Sequence, residues 1–184
     1  SRTMTNDSAP AFASYPSLKG KTVFVTGGAS GIGAEIVAAF AAQGSRVGFV
    51  DFDTEGGAAL AARLGPNVVF EPCDLRDIDA LRAAFARLAA GLGDAHVLVN
   101  NAARDDRHDW REVTPEYWDE RMATNLRHMF FAIQAVAPGM IAAGGGSIVN
   151  IGSNSWWEAS GNMPAYTTAK AAVHGLTRTM AREL

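Results

Sequence analysis

Short, dense apolar runs alternate along the chain with longer stretches whose apolar residues recur every three or four positions. The first pattern suits strands buried on both faces, and the second suits amphipathic helices. Val23-Phe24-Val25, residues 46–51, Val68-Val69-Phe70, residues 96–99 and residues 147–151 read as five strands. Residues 34–40 and 78–88 read as helices between them. A long helix is predicted from Pro115 to about Ala137, with proline at its favoured first position and Pro138-Gly139 bending or stopping it. A last helix runs from about Pro164 to the end of the sequence. Alternating strands and helices predict an α/β class domain, a doubly wound parallel sheet with helices on both faces; the strand order expected for a sheet of the dinucleotide-binding type is 3-2-1-4-5. Neither an internal repeat nor a second domain is visible. Residues 1–17 are polar with interspersed Ala and Pro and read as a flexible arm; residues 18–184 read as one domain. Ser1-Arg2-Thr3 ahead of Met4 reads as a remnant of expression.

Composition narrows the class. The 184 residues are 48% hydrophobic and 19% charged, with a net charge of −3, which is ample material for one core. No cationic run suggests nucleic acid, no apolar run is long enough to span a membrane, and residues 1–17 do not read as a secretory signal. The single cysteine, Cys73, cannot form an internal disulfide and reads as a small core residue, which fits a reducing cytoplasm. The four histidines lack the spacing of a metal site.

Three segments carry candidate chemistry. Thr26-Gly27-Gly28-Ala29-Ser30-Gly31-Ile32-Gly33 links the first strand to a helix start. Glycines there permit a tight turn and let backbone amides approach a pyrophosphate, while the helix N-terminus favours the anion. Asp51, followed by Phe52, ends the second strand where a ribose-binding carboxylate is expected. It would accept bonds from adenosine hydroxyls and repel a 2′-phosphate, so the expected cofactor is NAD. Tyr166 and Lys170 are four residues apart, which on a helix puts them on one face, roughly 5–6 Å apart at Cβ. A nearby ammonium favours a phenolate, so the pair reads as a proton acceptor with its activator.

These residues resemble the short-chain dehydrogenase/reductase family, from Tyr15 onward. Thr26 to Gly33 matches its Rossmann-type glycine loop, with Gly27, Ser30, Gly31, Ile32 and Gly33 at the cofactor. Asp74-Leu75 is similar to its adenine-contacting pair. Asn100-Asn101-Ala102 matches its Asn-Asn-Ala-Gly motif, with Ala103 in place of the usual glycine. Asn125, Ser153, Tyr166 and Lys170 fall at its catalytic tetrad. The resemblance implies that Ser153 holds the substrate oxygen and Tyr166 takes the alcohol proton. Lys170 favours the phenolate and binds the nicotinamide ribose, and Asn125 supports a relaying water. It also implies a homodimer or homotetramer built through the helices that carry Met122, Leu126, Met129, Phe130, Ala172, Val173, Leu176 and Met180. Family members have C-terminal strands that this chain would lack, and the helical character up to Leu184 suggests a truncated product.

Within the family, the resemblance is to bacterial aldose 1-dehydrogenases of the D-xylose type. It rests on segments such as residues 15–21, Asp105-Asp106-Arg107-His108, residues 117–121, residues 125–129 and Trp156 after Ser153. Arg104 and Trp157 are expected departures. The implied reaction is oxidation of an anomeric hydroxyl to a lactone, with Ser153, Asn154, Trp156 and Tyr166 at the sugar and Arg104, Asp105 and His108 as a second wall. His128 reads as packing or subunit contact. Two rivals stand beside this reading: an NADPH-dependent ketoreductase, and a non-catalytic NAD-binding protein.

Overall fold

Five strands lie parallel in the order β3-β2-β1-β4-β5 in a computed structural model that describes residues 12–184. They are β1 (Thr22–Thr26), β2 (Arg46–Asp51), β3 (Val68–Pro72), β4 (Val97–Asn100) and β5 (Ser147–Asn150). The helices are α1 (Gly31–Ala42), α2 (Thr54–Leu64), α3 (Ile78–Leu92), α4 (Pro115–Met122), α5 (His128–Ala142) and α6 (Pro164–Glu183). This is the doubly wound, Rossmann-type architecture that the alternation predicts.

The central strands are apolar on both sides because both sides are covered. Val23 and Val25 of β1, with Val47 and Phe49 of β2, pack with Val37 of α1 and Leu60 of α2. Phe24 and Leu98, on the opposite face, pack with Leu81, Phe85 and Leu88 of α3 and Ile133, Val136 and Met140 of α5. Phe24 meets Phe85 edge to face at 5.4 Å. β5 is a sheet edge, and Val149 on it is exposed.

Apolar spacing does not single out α2, because Gly56 and Gly57 occupy its first turn. Asp53 starts it by accepting a bond from the Gly56 amide, the capping geometry expected of aspartate. The long helix differs from expectation in two ways. A π-helical turn, Ala123–Arg127, separates α4 from α5. Pro138 does not stop α5, which runs on to Ala142. Pro138 and Gln134 are exposed, so the carbonyl released by proline faces water, while Val136, Ala137 and Met140 hold the same turns against the core.

At the amino edge of the sheet, the Thr22 amide donates to His96 Nδ1 at 3.0 Å and the Thr22 hydroxyl donates to the Leu92 carbonyl at 2.8 Å. Of the expected arm, residues 1–11 lie outside the described residues. Residues 13 and 15 are tied to Gln43 just past α1: the Tyr15 amide donates to its Oε1, and its Nε2 donates to the Ala13 carbonyl. No helix among the described residues is long and apolar enough to cross a membrane.

Candidate active site

Because the strands are parallel, the loops after them open at one end of the sheet, where a cleft of about 630 Å³ lies. Every position expected at a dinucleotide lines it: Gly27, Ser30, Gly31, Ile32, Gly33, Asp51, Phe52, Asp74, Leu75, Asn101, Ala102 and Ala103. Tyr166 and Lys170 of α6 line it as well.

The glycine loop is shaped by close approach. Gly27 has φ +68°, a left-handed conformation, and its amide donates to the Val50 carbonyl at 2.8 Å. A Cβ at Gly33 would lie 1.9 Å from the Gly27 carbonyl oxygen and 2.6 Å from Asn101 Nδ2. Asn101 Nδ2 donates to the Thr26 and Gly27 carbonyls at 3.2 and 3.1 Å. Thr26 Oγ1 accepts from the amides of Asn101 and Ala102 at 3.0 and 3.1 Å. The loops after β1 and β4 are thereby fastened together. Asp53 and Asp77 cap α2 and α3, whereas Ser30 makes no side-chain cap at α1. The first amides of α1 are thus free of a side-chain partner at the cleft, which suits a phosphate group. Asp51 is held by the amides of Ala29 and Asp53, at 2.9 and 2.8 Å, one on each carboxylate oxygen. A narrow glycine cradle, free helix amides and an oriented carboxylate together fit a dinucleotide.

Lys170 is 1% exposed, and its Nζ donates to the Ile151 carbonyl at 2.9 Å. The same nitrogen lies 5.8 Å from the centre of the Tyr166 ring. Burial pulls the Lys170 pKa below its ordinary value. Asn125 sits in the π turn, fully buried, and its Oδ1 accepts from the Arg104 amide at 2.7 Å. One turn on, His128 Nε2 lies 2.8 Å from the Thr124 carbonyl and 3.0 Å from that of Ala102. Both are acceptors, so this nitrogen carries the proton. Burial pushes the His128 pKa down to about 4. Ser153, on the loop after β5, makes a hydroxyl–hydroxyl bond to Ser155 Oγ at 2.8 Å and accepts from the Ser155 amide at 3.1 Å.

Residues 21–184 match the sequence model described as short chain dehydrogenase. The chain belongs to the short-chain dehydrogenase family. It is 51% identical over 175 residues to "D-xylose 1-dehydrogenase" of Caulobacter vibrioides, covering 94% of this chain and 69% of that one. It is also 51% identical over 174 residues to "Probable galactose dehydrogenase GalD" of Rhizobium meliloti, covering 92% and 68%. A crystal structure of a protein described as a short-chain alcohol dehydrogenase of Sinorhizobium meliloti 1021 superposes with a TM-score of 0.84 at 33% identity, covering 90% of this chain and 67% of that one. The protein is thus an oxidoreductase of the short-chain dehydrogenase type, a family that uses nicotinamide cofactors.

In this short-chain dehydrogenase the substrate-side residues are placed unevenly. Ser153, Asn154, Trp156 and Asn125 do not line the cleft. Asn154 Nδ2 donates to Glu158 at 2.7 Å. Trp156 packs edge-on between Trp157 and His174, with ring centres 5.7 and 5.1 Å away, whereas Trp157 is 78% exposed. Arg104 and Asp105 line the cleft, but His108 does not.

An ion network on the cleft wall goes beyond what single motifs signal. Arg76 grips the Asp74 carboxylate at 2.7 and 2.9 Å and reaches Glu120 at 3.2 Å. Glu120 pairs in turn with Arg121, which also donates to Asp106 at 2.9 Å. The guanidinium of Arg76 holds the Asp74 carboxyl below its usual range, and that of Arg121 does the same for Glu120. Asp-x-Arg ahead of a helix cap was the available signal for Arg76; its pairing with Glu120 spans 44 residues and is not local. Among the described residues, no group of three or more His, Cys, Asp or Glu is placed to hold a metal ion.

Proposed function

We propose that the protein is an NAD-dependent dehydrogenase that oxidises the C1 hydroxyl of an aldose sugar, such as xylose, to a lactone. The observation that carries this reading is the meeting, in one cleft, of the Tyr166–Lys170 pair with the glycine loop and Asp51. The 51% identity to a D-xylose 1-dehydrogenase supports the sugar.

A bound nicotinamide cofactor supplies the hydride acceptor. The amides at the start of α1 hold its pyrophosphate, and Asp51 accepts bonds from the adenosine ribose. Asp51 meets a 2′-phosphate with like charge, and Phe52 and Asp53 beside it bring no cation. Arg76, a cation of the cleft wall, is committed to Asp74 and Glu120. Leu75, Asn101, Ala102 and Ala103 complete the cofactor wall. Ser153 holds the substrate oxygen while Tyr166 accepts the hydroxyl proton, a role worth about 10²–10⁴-fold in rate. The Lys170 ammonium stabilises the negative charge that arises on the Tyr166 oxygen and binds the nicotinamide ribose. Asn125 orders a water that passes the proton outward. Asn154 and Trp156 contribute hydrogen bonding and a flat apolar face to the sugar. The buried thiol of Cys73 accords with a cytoplasmic setting.

We further assign the assembly to a homodimer or homotetramer formed through the outer faces of α4, α5 and α6. Met129 and Val173 are buried in the core, whereas Trp118, Phe130 and Ala172 are exposed. Light scattering reads the mass.

The test is NAD⁺ reduction over a panel of pentoses, hexoses and simple alcohols, run beside NADPH-dependent reduction of keto-esters. Aldose oxidation with NAD⁺ is expected. Turnover confined to keto-esters with NADPH overturns the sugar reading, and NAD binding by calorimetry without any turnover overturns catalysis.

A further inference from the structure

We infer that His108 is a positioning residue for Tyr166: its imidazole caps the first turn of α6, the helix that carries Tyr166 and Lys170, and clamps that turn to α4. The inference rests on the proposed role of Tyr166, but its structural half stands on geometry alone.

Helix α6 begins with Pro164, which has no amide hydrogen, and Met163 before it supplies no side-chain cap. The first amide needing an acceptor is that of Ala165, which is 0% exposed and so beyond the reach of water. It donates to His108 Nε2 at 3.1 Å, a bond spanning 57 residues. The other ring nitrogen, Nδ1, lies 3.0 Å from the Asp106 carbonyl and 3.2 Å from the Tyr117 hydroxyl. An amide only donates and a carbonyl only accepts. One form of the ring satisfies both, the neutral imidazole with its proton on Nδ1.

The ring is itself well held. It meets the Tyr117 ring of α4 edge to face at 5.1 Å, and the Arg121 guanidinium lies 5.5 Å from the centre of that same Tyr117 ring. Arg121 also pairs with the Asp106 carboxylate at 2.9 Å. The His108 amide donates to the Asn162 carbonyl at 2.8 Å. Asn162 has φ +60°, a left-handed conformation uncommon outside glycine, so the chain entering α6 is bent at the point that His108 grips.

Tyr166 follows Ala165 directly. Release of the Ala165 amide frees the turn that sets the phenol's depth in the cleft, while the glycine loop and Asp51 sit on other elements and keep their geometry. Proton transfer responds steeply to such displacement, since an error of about 1 Å can cost about a hundredfold in rate.

The test compares His108→Leu, which keeps bulk but accepts no bond, with His108→Gln, whose amide oxygen reaches Ala165. Each is read by hydrogen–deuterium exchange of residues 162–170 without substrate, and by kcat and KM for sugar and NAD⁺. In His108→Leu, exchange in that segment should rise several-fold and kcat fall about tenfold or more, with KM for NAD⁺ within about twofold. His108→Gln should restore slow exchange and bring kcat to within about threefold of the parent. Should His108→Leu not fold, His108→Asn serves in its place, because its shorter side chain reaches Asp106 but not Ala165. Unchanged exchange in the variant lacking the acceptor, or a Gln variant as impaired as Leu, overturns the proposal. If the parent oxidises no sugar, the proposed function fails, and exchange alone still judges the cap.

Discussion

Lys170 Nζ lies 5.8 Å from the centre of the Tyr166 ring while donating to the Ile151 carbonyl at 2.9 Å. The ammonium is thus pinned to the end of β5 and cannot swing away from the phenol. Tyr166→Phe keeps the ring and removes the proton acceptor. It should lower kcat by about 10²–10⁴-fold with NAD⁺ affinity nearly unchanged, checked by steady-state kinetics and calorimetry. Near-parental turnover would exclude the tyrosine as base. Lys170→Met should weaken both turnover and NAD⁺ binding.

Beside its proposed bonds to the ribose, the Asp51 carboxylate fastens the amides of Ala29 and Asp53. Asp51→Ala should therefore weaken all cofactor binding, while Asp51→Asn keeps an oxygen for the amides and loses the charge. Close like charges cost a few kcal/mol, so the ratio of kcat/KM for NADP⁺ over NAD⁺ should rise about tenfold or more in both variants. A ratio that does not move rejects NAD selection by this residue.

Two glycine-to-alanine substitutions should act in opposite directions. At Gly33 the new Cβ meets the Gly27 carbonyl at 1.9 Å, a backbone atom that cannot move aside without reshaping the loop. Loss of NAD⁺ binding is expected. At Gly91, inside α3, a Cβ meets nothing within 4 Å. Gly91→Ala should stabilise the fold by about 0.5–1 kcal/mol, seen as a higher urea midpoint with unchanged kinetics.

His128 is buried neutral, with its pKa pushed down to about 4. The unfolded chain takes up this proton near pH 6.5, and the folded one does not until about pH 4. The contribution is complete above about pH 6.5, declines as pH falls toward 4, and amounts to roughly 3 kcal/mol at most. Urea titrations between pH 7.5 and 4.5 should show this slope, flattened in His128→Gln. Carboxyls lowered by their arginines, such as Asp74 and Glu120, lose their share at lower pH.

Much of the fold was legible because its signals are local. Dense apolar runs mark strands buried on two faces, and the turn from Thr26 to Gly33 can be read residue by residue. The twelve positions expected at a cofactor, some read from the glycine turn and the strand after it and the others from the family resemblance, line one cleft with the Tyr166–Lys170 pair. What escaped depends on packing. Gly56 and Gly57 hide α2, and Pro138 looks like a stop until the core holds its helix. The π turn at Asn125 and the Arg76–Glu120 pair exist only once distant segments meet. The place of Trp156 after Ser153 is legible, but its edge-on contacts with Trp157 and with His174 of α6 arise only on folding.

The bonds from Thr22 to His96 and Leu92 close the rim of the sheet opposite the cleft. That far side is a handle: attachment to a support, or an added peptide in the turn between α3 and β4, would tax thermal robustness before it touched turnover. Libraries aimed at changing which substrate is accepted can accordingly ignore that half of the molecule, while efforts to make the protein hardier should begin there.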